Sequence, residues 1–337
     1  ISAAYFDYPA DKLTTIGLTG TKGKTTTTYI IRDVLAQAGK RAGLIGTIAI
    51  VYGDEFIPAK NTTPESYEIH KHMAKMVEAG CEYVVMEVSS QGFKLDRTAG
   101  LIFDYGVFTN LSPDHIGPTE HADFDEYLLC KSMLFRQCRT GIVNVDDKHT
   151  DDVLKCHTCD VVTFSAEKEA DMMASEIRFL NEEGRLGMAF KTSGLLECDA
   201  EIHIPGYFSV YNALTTMTVC QQLGISEEAI LAGLANVQVK GRVEPIKVSK
   251  DFSLIIDYAH NAVSTRSVLE TLKEYDPPRL IALFGCGGNR SKVRRYDIGE
   301  VAGELADLCI ITSDNPRFEK VADINNDIKV GLARSNG

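Results

Sequence analysis

No segment of the 337 residues approaches the ~18–20 consecutive apolar positions that a bilayer span requires, and the first residues show no basic-then-apolar leader pattern. Basic residues are in deficit: 35 Lys and Arg face 47 Asp and Glu, a formal charge of −12. Nucleic acid and anionic membrane surfaces both demand clustered positive charge, so neither is expected as a partner. An anionic ligand must be met by a local basic or backbone-amide site. A disulfide framework is missing too. The nine cysteines are scattered at 81, 130, 138, 156, 159, 198, 220, 286 and 309, and an odd count without framework spacing predicts reduced thiols in a cytoplasmic compartment. Cys156 and Cys159 have C-x-x-C spacing, but without a second Cys or His pair they read as loop cysteines rather than zinc ligands. Internal repeats and low-complexity tracts are absent. The remainder is an ordinary globular composition, 44% apolar and 24% charged, long enough for two domains.

The pattern along the chain is α/β. An apolar run over 13–19 leads into a glycine-rich turn, and Ile30, Ile31, Val34, Leu35 and Ala38 follow at helical spacing up to Gly39. A continuous apolar run at 83–88, broken by Glu87, predicts a buried parallel strand, and 107–110 and 142–145 read as further strands of the same sheet, with helices over about 65–79 and 123–138 between them. A hairpin signal sits at Asn181-Glu182-Glu183-Gly184, and two helices are expected over 210–223 and 227–236, the second capped by Ser226. A boundary near 239–244 divides the chain into residues 1–240 and 241–337. Beyond it, strands at 253–257, 280–285 and 308–312 alternate with helices in a doubly wound, Rossmann-like texture. In such folds functional residues sit just past the carboxyl ends of strands, which is where Asp257, Gly285 and Asp314 fall.

Gly20-Thr21-Lys22-Gly23-Lys24-Thr25 stands between a predicted strand and a predicted helix. That setting suits a phosphate loop: backbone N–H groups and the helix N-terminus face phosphate oxygens, Lys24 reaches the β/γ-phosphates, and the Thr25 hydroxyl can ligate Mg²⁺. Leu18 replaces the first glycine of the commonest pattern. Glu87 interrupts a Val/Met strand; it is either a solvated strand-end residue or a buried carboxylate awaiting a metal. His115 alone in a Pro-containing loop reads as an exposed bystander, and Lys131 alone on a helix as a surface charge.

The octet Thr19 to Thr26 resembles the ATP loop of the Mur ligases, which usually carry Asn where Lys22 stands. Further segments match that family in order: Asn61-Thr62-Thr63-Pro64, Met86-Glu87-Val88-Ser89-Ser90, Thr109-Asn110-Leu111-Ser112-Pro113-Asp114-His115 and Tyr127 to Lys131. Tyr211-Asn212-Ala213, Gly241-Arg242-Val243-Glu244, Asp257-Tyr258-Ala259-His260-Asn261 and Asp314-Asn315-Pro316-Arg317 follow. The resemblance covers nearly the whole chain. It implies an α/β fold with a P-loop ATPase-type central domain and a Rossmann-like C-terminal domain. The implied activity is that of the members adding the third residue of the peptidoglycan stem peptide, through an acyl phosphate, with ATP and Mg²⁺. The folylpolyglutamate synthases share fold and chemistry; the Asn-Thr-Thr-Pro and Asp-Asn-Pro-Arg segments speak against them. An inactive nucleotide-binding fragment or paralogue is the alternative of another class.

By the same resemblance, Gly20 to Thr26 with Asn212, Arg242, Asp257 and His260 hold ATP, and Thr25, Glu87, His115 and Lys131 serve two Mg²⁺ ions. Lys131 does so as a carbamate formed with CO₂, and Lys24, Lys131 and Arg242 are implied to be catalytic. Asn61, Thr62, Thr63, Ser89 and Arg97 would contact UDP-N-acetylmuramoyl-L-Ala-D-Glu, the hydroxyl residues having turn-capping as their alternative; Leu95 stands where relatives are polar, so no contact is transferred to it. Arg295, Asp314, Asn315 and Arg317 would receive the incoming amino acid. An arginine at 317 accompanies meso-diaminopimelate in the family, because its planar fork matches the distal carboxylate that L-lysine lacks. The chain begins at Ile1, and its end reads as falling inside a helix, so a preceding uridine-gripping domain and a following Gly-Lys-Gly-His-Glu-type segment are expected outside it. A monomer is expected.

Overall fold

The computed structural model describes residues 1–335 apart from 115, 118, 119, 183, 184, 238 and 247. In chain order, α1 (Ser2–Tyr5) precedes β1 (Thr14–Thr19), α2 (Lys24–Gln37), β2 (Ala42–Ile45), β3 (Ala49–Tyr52) and β4 (Glu55–Pro58). Next come α3 (Ser66–Glu78), β5 (Tyr83–Glu87), α4 (Ser90–Lys94), β6 (Phe103–Phe108), α5 (Phe124–Ser132), β7 (Cys138–Asn144), α6 (Thr150–Leu154) and β8 (Asp160–Ser165). β9 (Met172–Glu182), β10 (Arg185–Gly194), β11 (Cys198–Ile202), α7 (Phe208–Gln222) and α8 (Glu227–Asn236) follow. The remainder is β12 (Glu244–Ile246), β13 (Leu254–Ile256), α9 (Ala262–Lys273), β14 (Ile281–Phe284), α10 (Lys292–Leu305), β15 (Leu308–Ile311) and α11 (Val321–Leu332).

Two compact units emerge: 1–178, 188–203 and 208–239 form the first, and 179–187, 204–207 and 240–337 the second. The first is built on a sheet ordered β11-β10-β9-β8-β7-β6-β1-β5-β2-β3-β4. β1 lies between β5 and β6 and is parallel to both. All of β1 after its first residue is buried, as is β5 after Tyr83, so burial along both strands is continuous rather than alternating. Glu87 ends that run. α3 buries Ile69, Met73 and Met76, the spacing of one helical face. The Ser226 hydroxyl caps α8 by accepting from the Ala229 N–H. The expected helix over 123–138 is shorter: α5 gives way to a 3₁₀ turn at Met133–Arg136, and β7 already begins at Cys138. The hairpin turn expected around Glu183 and Gly184 lies outside the described residues.

In the second unit β12, which the apolar pattern did not reveal because Pro245 sits within its three residues, pairs antiparallel with β13. β14 and β15 pair in parallel, and Phe284 and Ile311 pack with Cys286, Ile298 of α10, and Ile324 and Ile328 of α11. Their opposite face carries Ile281, Leu283, Leu308 and Ile310, all exposed, with Leu283 at 66%. Among the described residues the doubly wound expectation therefore holds for one face of this pair. α11 stops at Leu332, so Arg334 and Ser335 are not helical as expected; Asn336 and Gly337 lie outside the described residues. No helix among the described residues is long and apolar enough to cross a membrane.

Candidate active site

The loop between β1 and α2 is held open by its own backbone. Gly23 is the N-cap of α2 at φ 85, a conformation that disfavours a Cβ, and a Cβ there would meet Asn212 Oδ1 at 2.7 Å. Side chains from β6 and its following loop lace the turn. Thr109 Oγ1 donates to the Lys22 carbonyl (2.8 Å), Asn110 Nδ2 donates to the same oxygen (3.0 Å), and the Lys22 N–H donates to Asn110 Oδ1 (2.9 Å). The Tyr127 hydroxyl lies 3.0 Å from Thr21 Oγ1. Lys24 Nζ donates to the carbonyls of Gly20 and Thr21 at 2.7 and 3.2 Å. Asn212, buried on α7, accepts from Thr27 Oγ1 at 3.1 Å, while its Nδ2 is buried without a partner among the described residues. A donor left so at the mouth of a glycine loop fits a nucleotide acceptor.

Glu87 is 0% exposed. It accepts from Thr25 Oγ1 (2.9 Å), the Thr47 N–H (2.8 Å) and Thr47 Oγ1 (3.0 Å), and no cationic side chain pairs with it among the described residues. A buried carboxylate served only by neutral donors fits a hard cation arriving with phosphate. Thr25 and Glu87 thus sit side by side, as a Mg²⁺ site of few protein ligands requires. No group of three or more His, Cys, Asp or Glu side chains gathers among the described residues. His115 lies outside the described residues. Thr47 carried no sequence signal beyond following a strand, although it touches both Glu87 and Thr62 Oγ1 (3.0 Å).

Lys131 is not the surface charge its helix suggested. It is 1% exposed, donates to the Gly20 carbonyl at 2.7 Å, and lies 4.6 Å from the centre of the Tyr127 ring. Burial, reinforced by the nearby Lys24 charge, holds its amine well below the usual lysine range. Burial likewise pushes the Tyr127 phenol up to about 12.

The expected sugar-peptide contacts fall into two groups. Asn61 is exposed and Thr62 half-buried at the surface near Thr47, whereas Thr63 is fully buried. Thr63 Oγ1 donates to the Glu87 carbonyl (3.0 Å) and accepts the Ser89 N–H (2.9 Å), which matches its turn-holding alternative. Ser89 caps α4 through Gly92 N–H. Arg97 donates to the Thr63 carbonyl (3.0 Å) and pairs with Glu65 (2.6 Å).

In the second unit the Asp257 carboxylate accepts the N–H groups of Val243 and Ala259 at 2.8 and 2.7 Å, shaping the turns that carry Arg242 and His260. Arg242 stacks over Tyr258 at 5.4 Å, and His260 Nδ1 lies 3.1 Å from the Tyr258 carbonyl. Asp314, Asn315 and Arg317 are exposed, and Arg317 has no hydrogen bond or ion pair among the described residues. The structure places Arg295 differently from the expectation that it meets the incoming amino acid. It is 1% exposed, and its terminal nitrogens already serve Glu319, Asp327 and the Gly287 carbonyl. Arg290, passed over in the sequence in favour of Arg295, is exposed; its Cγ and the Asp314 carboxylate both border the Gly287 Cβ position, at 3.9 and 4.0 Å.

The Mur ligase middle domain matches residues 18–220, and the Mur ligase, glutamate ligase domain matches 241–336. The chain is 42% identical over its whole length to the UDP-N-acetylmuramoyl-L-alanyl-D-glutamate--2,6-diaminopimelate ligase of Caldanaerobacter subterraneus subsp. tengcongensis, covering 69% of that protein. It is 43% identical to the same-named ligase of Clostridium perfringens, covering 70% of it. A solved structure of a ligase with that name superposes with a TM-score of 0.76 at 26% identity, over 97% of this chain and 68% of the other. With matched domains along most of its length and relatives above 40% identity, the chain belongs to the Mur ligases, the ATP- and Mg²⁺-using enzymes that form amide bonds.

Proposed function

We propose that this chain adds meso-diaminopimelate to the D-glutamyl carboxylate of UDP-N-acetylmuramoyl-L-Ala-D-Glu, in peptidoglycan precursor synthesis. The observation that carries the choice of amino acid is Arg317, an exposed guanidinium without a partner among the described residues, just beyond β15, where ligands bind in α/β sheets. The names of the relatives support it. The enzyme would be cytoplasmic, where ATP and nucleotide-linked sugars reside, and monomeric. Function divides at residue 240: nucleotide, metal and dipeptide residues before it, amino-acid residues after it, with Arg242, Asp257 and His260 assigned to ATP.

In this mechanism the substrate carboxylate attacks the γ-phosphorus of ATP and ADP leaves. The amine of diaminopimelate then attacks the acyl phosphate, releasing phosphate and a proton and leaving the amide. Lys24 would exchange its carbonyl partners for β/γ-phosphate oxygens, and Asn212 Nδ2 would donate to the nucleotide. Thr25, Glu87, His115 and a carbamylated Lys131 would hold Mg²⁺, which supplies charge neutralisation between phosphate oxygens. Glu87 keeps its oxygens in place through Thr47. Arg290 and Arg317, rather than Arg295, would offer the cations for the amino acid; Asn61, Thr62, Ser89 and Arg97 would line the dipeptide side. No protein nucleophile is needed, since positioning and electrostatics carry such transfers.

The test is amide formation by the intact enzyme from the UDP-dipeptide, ATP and diaminopimelate. Lys24→Ala should weaken ADP binding in calorimetry by at least roughly tenfold, one charge-assisted contact being worth about 1.5–3 kcal/mol. Equal ADP affinity in the two proteins would remove the phosphate-loop assignment.

A further inference from the structure

One ion cluster in the second unit, built on the buried Arg295, has no part in the chemistry above. Arg295, in the first turn of α10, forks onto Glu319: Nη2 donates to Oε1 at 2.7 Å and Nη1 to Oε2 at 2.9 Å. Nη1 also donates to Asp327 Oδ2 at 2.9 Å, from α11. Glu319 in turn accepts the backbone N–H of Asn289. The Asn289 side chain accepts the Phe318 N–H at 3.2 Å, and the Gly288 N–H donates to the Asn315 carbonyl at 2.8 Å. A Cβ on Gly288 would overlap the Pro316 carbonyl, so the two loops meet backbone to backbone. The loop of 285–290 and the loop of 314–319 are therefore one laced body, with Glu319 the charged tie between it and the helices beneath.

That body holds two residues in the left-handed region, Asn289 at φ 53 and Arg317 at φ 50. Asparagine adopts such a conformation readily, but in arginine it persists only where the surroundings impose it. The Arg317 side chain has no partner among the described residues to impose it, so the backbone must.

We propose that the Arg295–Glu319 pair is a positioning clasp for amino-acid recognition: it locks the Asn315–Phe318 backbone so that Arg317 is presented in one arrangement to the acceptor's carboxylate. The inference rests on the reading of Arg317 given above. Glu319 and Arg295 are positioning residues here, acting through Arg317 and touching no substrate. If loosening the clasp leaves one loop in ten correctly arranged, the apparent affinity for the amino acid falls about tenfold, because only the competent fraction binds.

Steady-state kinetics of the intact enzyme, varying each substrate in turn, tests this. Glu319→Gln removes the charge at constant shape, and Arg295→Lys keeps the cation while losing the fork. Both should raise KM for the acceptor amino acid by about tenfold, with kcat and KM for ATP changed by less than about twofold. The double variant Glu319→Gln/Arg317→Ala should be no worse than Arg317→Ala alone. Should Glu319→Gln melt at the assay temperature, Arg295→Lys carries the same KM test. An unchanged acceptor KM in the folded variants, while Arg317→Ala raises it, overturns the clasp alone. Effects that multiply in the double variant also overturn it, since Glu319 would then act independently of Arg317. An Arg317→Ala enzyme with unaltered acceptor KM refutes the reading of Arg317, and the clasp's role falls with it.

Discussion

Lys131→Ala is expected to lower kcat of the intact enzyme by on the order of 10²–10³-fold while leaving ADP affinity within a few-fold, the scale of losing one preorganised charge-stabilising group. The expectation follows from the burial of Lys131 and its depressed amine, which supply a neutral nucleophile in a dry site. Attack on CO₂ forms an N–C bond, releases one proton and leaves an anionic carbamate, the oxygen ligand a hard cation prefers. Alanine removes the stem and leaves room for a small anion, so added formate or acetate should restore part of the rate. The sign of the pH effect is fixed by the direction of the shift. Because burial holds the folded amine below its usual value, more of it is neutral at a given pH than in an ordinary lysine, and acidification must drain that fraction. A ¹³C signal from labelled bicarbonate should therefore appear in the wild type, weaken as pH falls, and be absent from Lys131→Ala. A variant retaining activity within about threefold would return Lys131 to a purely structural role.

Arg317 sets the second large effect. Diaminopimelate should exceed L-lysine in kcat/KM by at least roughly tenfold, since a charged hydrogen-bonded contact is worth about 1.5–3 kcal/mol. The guanidinium is exposed without ligand, so water serves it when lysine binds, which places the expected ratio toward the lower end of that range. Arg317→Ala should erase most of the preference, chiefly through the diaminopimelate term. Equal use of the two amino acids by the wild type would make Arg317 a structural residue and the assignment of substrate wrong.

What the sequence disclosed was local. The phosphate loop, β1, β5 and the Ser226 cap are written in contiguous residues, and the structure has them where the pattern put them. What it hid depends on distant partners. Lys131 sits on a short helix of weak apolar pattern, and nothing nearby announces that its amine meets a carbonyl 111 residues away. Arg295 stands in a basic run that resembles a ligand site, yet its partners lie 24 and 32 residues further on. Thr47 acts through its own backbone N–H as well as its hydroxyl, which no motif encodes. Charge in the sequence thus marked segments without revealing which of their side chains are buried and already paired.

The central place of β1 also dictates when the enzyme can come into being. Its strand partners lie at Tyr83 to Glu87 and at Tyr105 to Phe108, and α2 gains its buried hydrogen bond to Asn212 later still. Pairings so far apart along the chain are slow to close, because loop entropy is lost before contact energy is gained. As the polypeptide emerges from the ribosome, the glycine loop after β1 is made well before the segments that become its walls. Until the residues as far as Asn212 have followed, α2 lacks the buried partner that its Thr27 hydroxyl finds in the folded chain.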